Sequence, residues 1–358
     1  MPQLIDIGNL RRRAINRIPM KVCMMGPRAV GKTTILTSIF MDSNESLGSM
    51  TNLSLKGIGE TGTELTKRKR YLNSVFLYRK QITDRPPAGL EATSTVNTFD
   101  FTFGLKDKEP RIDLEIKDFP GEYVLDKPNE VKSFINESTA VFVAIDTPHL
   151  MEDGGNYCEA KNKPSIITGF FKDLIEKKTE DGTEGKESEK EKLVLLIPLK
   201  CERYYYENRM DEVLNRVETM YADLIASFKK NGKTACAVTP ILTLGDVEYD
   251  TMKKENGKVM LNMNNCPEEV LYRFRGEKPR YNPAFCVQPM YYMLSFLAAE
   301  YERAKKNRTI WDKILSSIFN LFDSDTALFN EIKRMETFRK TNLPGYKVEC
   351  GAELFRFN

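Results

Sequence analysis

An α/β fold with a mainly parallel sheet is predicted by three features of the sequence. Short apolar runs of strand length alternate with segments of helical periodicity, which is the layout of parallel strands covered by helices on both faces. A glycine-rich loop separates the first apolar run from the first helical segment. The chain of 358 residues is long enough to bury its own core and to carry insertions.

The apolar runs predict strands at 21–25, 98–105, 111–117, 140–145, 193–198 and 235–238. The polar turn KDKEP joins the second strand to the third, so these two are expected to form an antiparallel hairpin at one edge of the sheet. Apolar spacing near 3.6 predicts helices directly after the glycine loop and at 166–177, 210–230 and 286–306.

The expected organisation is an N-terminal extension (1–19), a nucleotide-binding α/β domain (20–307) and a C-terminal helical extension (308–358). Insertions are expected near 44–90, 178–192 and 246–281, the first with an extra helix at 61–82 and the last irregular. The stretch TIWDKILSSIFNLF has one strongly apolar face, which is expected to pack on the parent domain; the alternatives are a protein partner or effector and a membrane surface.

Composition excludes several classes of function. Basic and acidic residues number 54 and 51, so the net charge of +3 argues against a nucleic-acid partner. Seven cysteines without C-x-x-C spacing favour reduced thiols and a cytoplasmic location. No apolar run approaches the roughly 18 residues of a membrane span. His149, the only histidine, is expected in a loop and makes a histidine-rich metal site impossible.

The strongest motif is Gly26 to Thr33, which fits G-x-x-x-x-G-K-[ST], the phosphate-binding loop of nucleoside-triphosphate proteins. Backbone N–H groups of such a loop point at the β-phosphate, and the following helix N-terminus adds partial positive charge. Lys32 is expected to bridge β- and γ-phosphate oxygens, and Thr33 to ligate Mg²⁺. The residues expected to bind nucleotide here are Gly26, Pro27, Arg28, Ala29, Val30, Gly31, Lys32, Thr33 and Thr34.

A second motif, D-x-x-G, follows at the end of the third predicted strand. Asp118 is expected to hold Mg²⁺ through water, and the N–H group of Gly121 to sense the γ-phosphate. Asp113 competes as the metal residue but lies within the strand. A switch threonine is expected to complete the metal sphere, with Thr93 preferred and Thr95 as its rival.

Base recognition is predicted at LKCE, after the strand at 193–198. The aliphatic stem of Lys200 can lie over a purine ring, and the carboxylate of Glu202 can accept hydrogen bonds from guanine N1 and N2. Adenine lacks this donor pair. The expected ligands are therefore GTP or GDP with Mg²⁺.

These motifs in this order resemble the Ras-like and translation-factor-related (TRAFAC) GTPases, over roughly residues 20–306. The segments DFPGE, PLKCERYY and YNPAFCVQPMYYMLSFL are most similar to bacterial double-GTPase-type proteins. That resemblance implies a GTP-binding molecular switch and, for the closer group, a role in bacterial conflict or phage defence.

The chain departs from the GTPase pattern at four points, which are the base motif, the element after the last strand, Glu122 and Arg28. Leu199 replaces the asparagine of Asn-Lys-x-Asp, with Glu202 in place of the aspartate. The segment TPI does not match the Ser-Ala-Lys element. Glu122 stands where the family often has a water-orienting glutamine, which implies slow Mg²⁺-dependent hydrolysis.

Arg28, where Ras-like proteins have glycine, is a built-in arginine finger, a partner of Glu122 or a solvent-facing side chain. Lys32, Glu122 and Arg28 are thus the predicted catalytic residues. The alternatives to a slow GTPase switch are a nucleotide-binding interaction module without significant hydrolysis and an ATPase with the same loop.

Overall fold

The structure, a computed structural model, describes residues 17–42, 51–78, 82–83, 95–180, 191–307, 326–342 and 347–355. Its strands are β1 (Ile18–Met25), β2 (Leu53–Gly57), β3 (Ile82–Thr83), β4 (Asn97–Leu105), β5 (Ile112–Asp118), β6 (Ala140–Asp146), β7 (Lys192–Leu199), β8 (Thr234–Val238), β9 (Val247–Met252), β10 (Lys254–Glu255), β11 (Lys258–Val259), β12 (Val270–Phe274) and β13 (Lys347–Cys350).

Helices connect these strands. They are α1 (Lys32–Asp42), α2 (Glu60–Tyr78), α3 (Tyr123–Asp126), α4 (Pro128–Glu137), α5 (Thr147–Met151), α6 (Cys158–Asn162), α7 (Pro164–Glu180), α8 (Glu202–Tyr206), α9 (Met210–Met220), α10 (Ala222–Asn231), α11 (Gln288–Asn307) and α12 (Thr326–Asn342). Two 3₁₀ turns lie at Glu152–Gly155 and Ala352–Phe355.

Within the described ranges, eight strands form one sheet in the order β13-β8-β7-β6-β1-β5-β4-β2. The five strands from β8 to β5 are parallel, because each pairs with its neighbour in the same direction. The central strands β6 and β7 are buried along their whole length. Continuous burial explains their unbroken apolar sequences, since both faces of a parallel sheet are covered.

Separate apolar cores lie on the two faces of the sheet. One contains Ile35 and Leu36 of α1 together with Leu294 and Leu297 of α11. The other contains residues of α4, α7, α9 and α10, among them Phe134, Phe171, Val217 and Phe228. The predicted α/β class with helices on both faces is confirmed.

The hairpin β4–β5 is antiparallel, as predicted. However, β2 pairs antiparallel with β4 and forms the edge of the sheet on that side. β2 was not predicted, because its five residues LSLKG alternate too briefly to stand out from the surrounding insertion. The extra helix predicted near 61–82 is present as α2.

The other edge of the sheet is also formed by a strand that was not predicted. β13 pairs antiparallel with β8, and Leu354 and Phe355 beyond it enter the core next to α11. The residues described from 326 onward thus include a strand as well as the helix α12. The apolar stretch 309–322, the first 16 residues and the centre of the 178–192 insertion (181–190) lie outside the described residues.

The insertion at 246–281 was predicted to be irregular, and this was wrong. It forms a small antiparallel sheet in the order β3-β12-β9, beside the short hairpin β10–β11. Alternating apolar residues on short strands pack this sheet in two small clusters centred on Val247 and Val270. Its third strand, β3, comes from about 190 residues earlier, so no local pattern in 246–281 reveals the complete sheet.

The long helix predicted at 210–230 is divided at Tyr221, which is fully buried between α9 and α10. No helix among the described residues is long and apolar enough to cross a membrane.

Candidate functional site

The carboxyl ends of β1, β5, β6 and β7 meet at one edge of the sheet, where the predicted motifs lie. This follows from parallel pairing, which places Met24 level with Asp118 and Asp146 level with Leu199. Ligands of open α/β sheets bind at this edge. The site can be divided into a phosphate end, around β1 and β5, and a base end, around β6 and β7.

The loop after β1 has the backbone that phosphate binding requires. Gly26, Ala29 and Gly31 have positive φ values of 142°, 58° and 110°. A Cβ atom on Gly26 would lie 2.6 Å from the carbonyl oxygen of Ala144, so only glycine fits beside β6. Helix α1 begins at Lys32, so the loop leads directly into the N-terminus of a helix of 11 residues.

Lys32 is 5% exposed, and its ammonium donates to the carbonyl oxygens of Gly26 and Pro27, each at 3.1 Å. Burial lowers the pKa of Lys32, and the nearby charges of Asp118 and Glu122 oppose this shift. The ammonium is therefore held over the loop, at the position where a phosphate oxygen would replace its carbonyl partners.

Asp118 and Thr33 form the candidate metal site. The Thr33 hydroxyl donates to Asp118 Oδ2 at 3.1 Å, and Asp118 Oδ1 lies 3.9 Å from Lys32 Nζ. A hydroxyl and a buried carboxylate are hard oxygen donors, which suit Mg²⁺ once phosphate and water complete the coordination sphere. In the part of the chain that the structure describes, no group of three or more His, Cys, Asp or Glu side chains is arranged to hold a metal ion. A metal here would thus depend on the nucleotide for most ligands.

Asp113 lies at the opposite end of β5 and pairs with Arg17 at 3.1 Å. The preferred switch residue, Thr93, lies outside the described residues. Its rival Thr95 is exposed and precedes by two residues Asn97, whose register partner is Asp118. β4 therefore brings the segment just after the predicted switch to the metal end of the site.

Gly121 packs directly against the phosphate loop. A Cβ atom there would lie 2.7 Å from the Gly26 carbonyl oxygen and 3.0 Å from the Arg28 nitrogen. Glu122 follows at the start of α3, close enough for its charge to act on Lys32. Arg28 is exposed and makes no ion pair with Glu122 or with any other described residue.

The base end contains a buried charge network around Asp146 that was not predicted from the sequence. Asp146, at the end of β6, is fully buried and accepts hydrogen bonds from Lys200 at 2.7 Å and His149 at 2.6 Å. Burial alone would raise the pKa of Asp146, but Lys200 and His149 outweigh burial and hold it well below its usual value. Asn162 fixes the Asp146 backbone with bonds of 2.7 and 3.1 Å.

The expectation that His149 lies in a loop was wrong, because it lies in α5 and is fully buried. The sequence did contain a signal for Asp146. It is the last residue of the buried strand β6, just as Asp118 is the last residue of β5, and both strands run parallel to β1.

Lys200 has a left-handed backbone, with φ of 61°, and also donates to the Ala29 carbonyl of the phosphate loop at 3.3 Å. The segment 200–202, called the base loop below, is therefore joined directly to the phosphate loop. Glu202 is 1% exposed, and its Oε1 accepts from the backbone N–H of Leu244 at 2.8 Å. Burial raises the pKa of Glu202 to about 7, and hydrogen bonds from backbone N–H groups oppose the shift.

The comparisons with known proteins give matches among solved structures. No protein-family model matches the sequence. A search of curated proteins also gives no match. Among solved structures, the S. cerevisiae Ski7 GTPase-like domain bound to GTP is similar, with 17% identity over 78% of this chain and 50% of that chain, and a TM-score of 0.36.

The same domain bound to GDP and inorganic phosphate matches with 15% identity over 64% of this chain and 44% of that chain, with a TM-score of 0.35. The conserved domain of the dynein light intermediate chain matches with 7% identity over 73% of this chain and 83% of that one, with a TM-score of 0.28. The chain spans half or less of the two Ski7 chains that it matches.

Proposed function

We propose that this protein is a guanine-nucleotide-binding switch with slow, Mg²⁺-dependent GTP hydrolysis. The observation that carries the proposal is the arrangement of Lys32, Thr33 and Asp118 around a glycine loop onto which Gly121 packs. Loop N–H groups and Lys32 would hold the β- and γ-phosphates, and Thr33 with Asp118 would hold the metal. Gly121 would then respond to the γ-phosphate.

The contact between Gly121 and the loop gives the switch a physical basis. Gly121 lies against Gly26 and Arg28 with no room for a Cβ atom, so a γ-phosphate entering beside the loop would alter the packing of residues 119–123. α3 and α4 follow at once and would be displaced with this segment. Such a coupling of γ-phosphate to an adjacent segment is the ordinary basis of nucleotide switching.

Hydrolysis is proposed to be slow because Glu122 carries a charge where a neutral water-orienting group would serve better. A carboxylate near a γ-phosphate is unfavourable unless Lys32 and Mg²⁺ offset its charge. Arg28 is exposed at the mouth of the loop and is free to approach the γ-phosphate as a finger.

The preference for guanine is supported by Lys200, which donates to the Ala29 carbonyl of the phosphate loop, and by Glu202, two residues later in the chain. Glu202 has one oxygen bonded to Leu244, so reading guanine requires its second oxygen or a change of side-chain rotamer. The similarity to bacterial double-GTPase-type proteins, a role in conflict or phage defence, a cytoplasmic site of action and a protein effector are parts of the same proposal.

The test begins with the nucleotide that copurifies with the protein, identified by chromatography after denaturation. Thermal unfolding is then measured with GTP, GDP and ATP, each with and without Mg²⁺. At saturation, GTP and GDP are expected to raise Tm by several degrees. Stabilisation by ATP but not by GTP would contradict the assignment of the base and favour the ATPase.

A second candidate, a nucleotide-binding interaction module without significant hydrolysis, is favoured by one observation, the charged Glu122. Single-turnover conversion of GTP to GDP by the purified protein separates the two. A measurable Mg²⁺-dependent rate supports the switch, whereas bound GTP that remains intact supports the module.

A further inference from the structure

The inserted sheet β3-β12-β9 borders the base end of the site. The ring centroid of Tyr272, in β12, lies 5.6 Å from Lys200 Nζ. Tyr272 is partly buried and packs in both small apolar clusters of the sheet. Its position relative to Lys200 is thus held by apolar contacts on two sides.

Two further residues, Arg203 and Leu244, join the inserted sheet to the loop that carries Lys200 and Glu202. Arg203, in the turn of helix after Lys200, donates to the Asp250 carbonyl of β9 at 3.0 Å, and its guanidinium lies 5.5 Å from the Tyr249 ring. Leu244, whose N–H group bonds Glu202, packs in the same cluster as Tyr272. The inserted sheet, the base loop and the segment that contains Leu244 are therefore packed against one another.

We infer that Tyr272 forms a wall of the base site and contacts the purine ring of the bound nucleotide. The ammonium of Lys200 is already engaged by Asp146 and by the Ala29 carbonyl, which leaves the methylene stem as an apolar surface. The Tyr272 ring, 5.6 Å from Nζ, would form with that stem a slot for a flat ring. This inference rests on the proposed function and adds to it a residue of the insertion that determines affinity for the base.

The chemistry of such a wall makes a specific demand. Every purine has a π face, so stacking strengthens binding of guanine and adenine nucleotides alike, while selectivity comes from polar groups such as Glu202. Loss of the ring should thus weaken GDP and ADP by the same factor. It should leave a ligand without a base unaffected.

The experiment compares binding of GDP and of inorganic tripolyphosphate, both with Mg²⁺, by calorimetry. Tyr272→Ala is expected to weaken GDP about 5- to 100-fold and tripolyphosphate not at all. Tyr272→Phe should keep GDP binding within about threefold, since it retains the π face. Tyr272→Leu keeps apolar bulk for the two clusters but lacks the ring, and should behave as Tyr272→Ala.

Tyr71→Ala is the matched control, because it removes a half-buried tyrosine that packs in the same apolar cluster as Tyr272 but lies in α2, outside the inserted sheet. The inference is overturned by equal loss of GDP affinity in Tyr71→Ala, by parallel losses of GDP and tripolyphosphate, by unchanged GDP binding, or by a gain in affinity on removing Tyr272. Wild-type protein that binds tripolyphosphate but not GDP also overturns it. Wild-type protein that binds neither contradicts the proposed function itself.

Discussion

The two ends of the candidate site are built in different ways. At the phosphate end, a contiguous loop and one strand end place Lys32 and Thr33 each within about 4 Å of Asp118. At the base end, Asp146 and Lys200 come from the ends of β6 and β7, Leu244 comes from the segment between β8 and β9, and an inserted sheet packs beside them. Local geometry thus defines one end, and long-range assembly defines the other.

Lys32→Ala tests the phosphate end and should have a greater effect than any other substitution proposed below. It removes the buried cation over the loop and its ion pair with Asp118. We expect nucleotide affinity to fall by at least about 100-fold, because loss of one partner of a buried charge pair costs roughly 2–5 kcal/mol. Equilibrium binding of fluorescent GDP measures this, with Lys56→Ala, an exposed lysine in β2, as the control. Unchanged affinity would remove the phosphate site.

Glu202→Gln tests whether the base end is strained by a buried carboxyl. The folded-state pKa is about 7 and the unfolded value about 4.5, so the folded state binds more protons between these values. The contribution of the Glu202 carboxyl to the free energy of unfolding is therefore complete below about pH 4.5 and is lost as pH rises through 7. Relative to Glu202→Gln, the wild type should lose on the order of 2–3 kcal/mol of unfolding free energy over this range.

Urea unfolding of both proteins at pH 5 and pH 8 measures the difference, and the comparison cancels groups that titrate alike in the two chains. An equal change of stability with pH in the wild type and in Glu202→Gln would show that Glu202 does not titrate in this window.

Gly121→Ala adds one methyl group at the tightly packed phosphate end. Its Cβ would lie 2.7 Å from the Gly26 carbonyl, so we expect a loss of roughly 1–3 kcal/mol in stability. Gly169→Ala is the control, since Gly169 is an exposed residue of α7 with open space around it. That change should stabilise by about 0.5–1 kcal/mol. Thermal unfolding of the two variants measures the difference. Equal changes in stability would mean that the phosphate loop shifts to accommodate the added methyl group.

The smallest expected effect concerns hydrolysis. If Glu122 orients the attacking water, Glu122→Ala should lower single-turnover GTP hydrolysis by about 10-fold or more, with GDP affinity nearly unchanged. Glu130→Ala, in the exposed first turn of α4, is the control. Equal rates in the wild type and in Glu122→Ala would make Glu122 a surface charge.

The sequence predicted the parallel sheet and the phosphate end because both depend on short-range patterns. Gly26 and Gly31 are required by local φ values, and Asp118 by the end of an apolar strand. The base end was predicted only in part, since Lys200 and Glu202 were named but their partners were not. Asp146 reaches Lys200 through the pairing of β6 with β7, and Leu244 reaches Glu202 from the segment between β8 and β9. Tyr272 arrives in an insertion whose third strand lies far away in the sequence. The edge strands β2 and β13 were missed because they are short and only partly buried.

Strand β13 has a consequence for synthesis of the chain. Until residues 347–350 leave the ribosome, β8 remains an open edge whose backbone groups can pair with another chain. The β8 edge is covered only when a segment more than 100 residues downstream arrives, carrying Leu354 and Phe355 into the core beside α11. A nascent chain that stalls within this interval would therefore present a hydrogen-bonding edge next to an unfilled apolar surface, which is a form prone to aggregation.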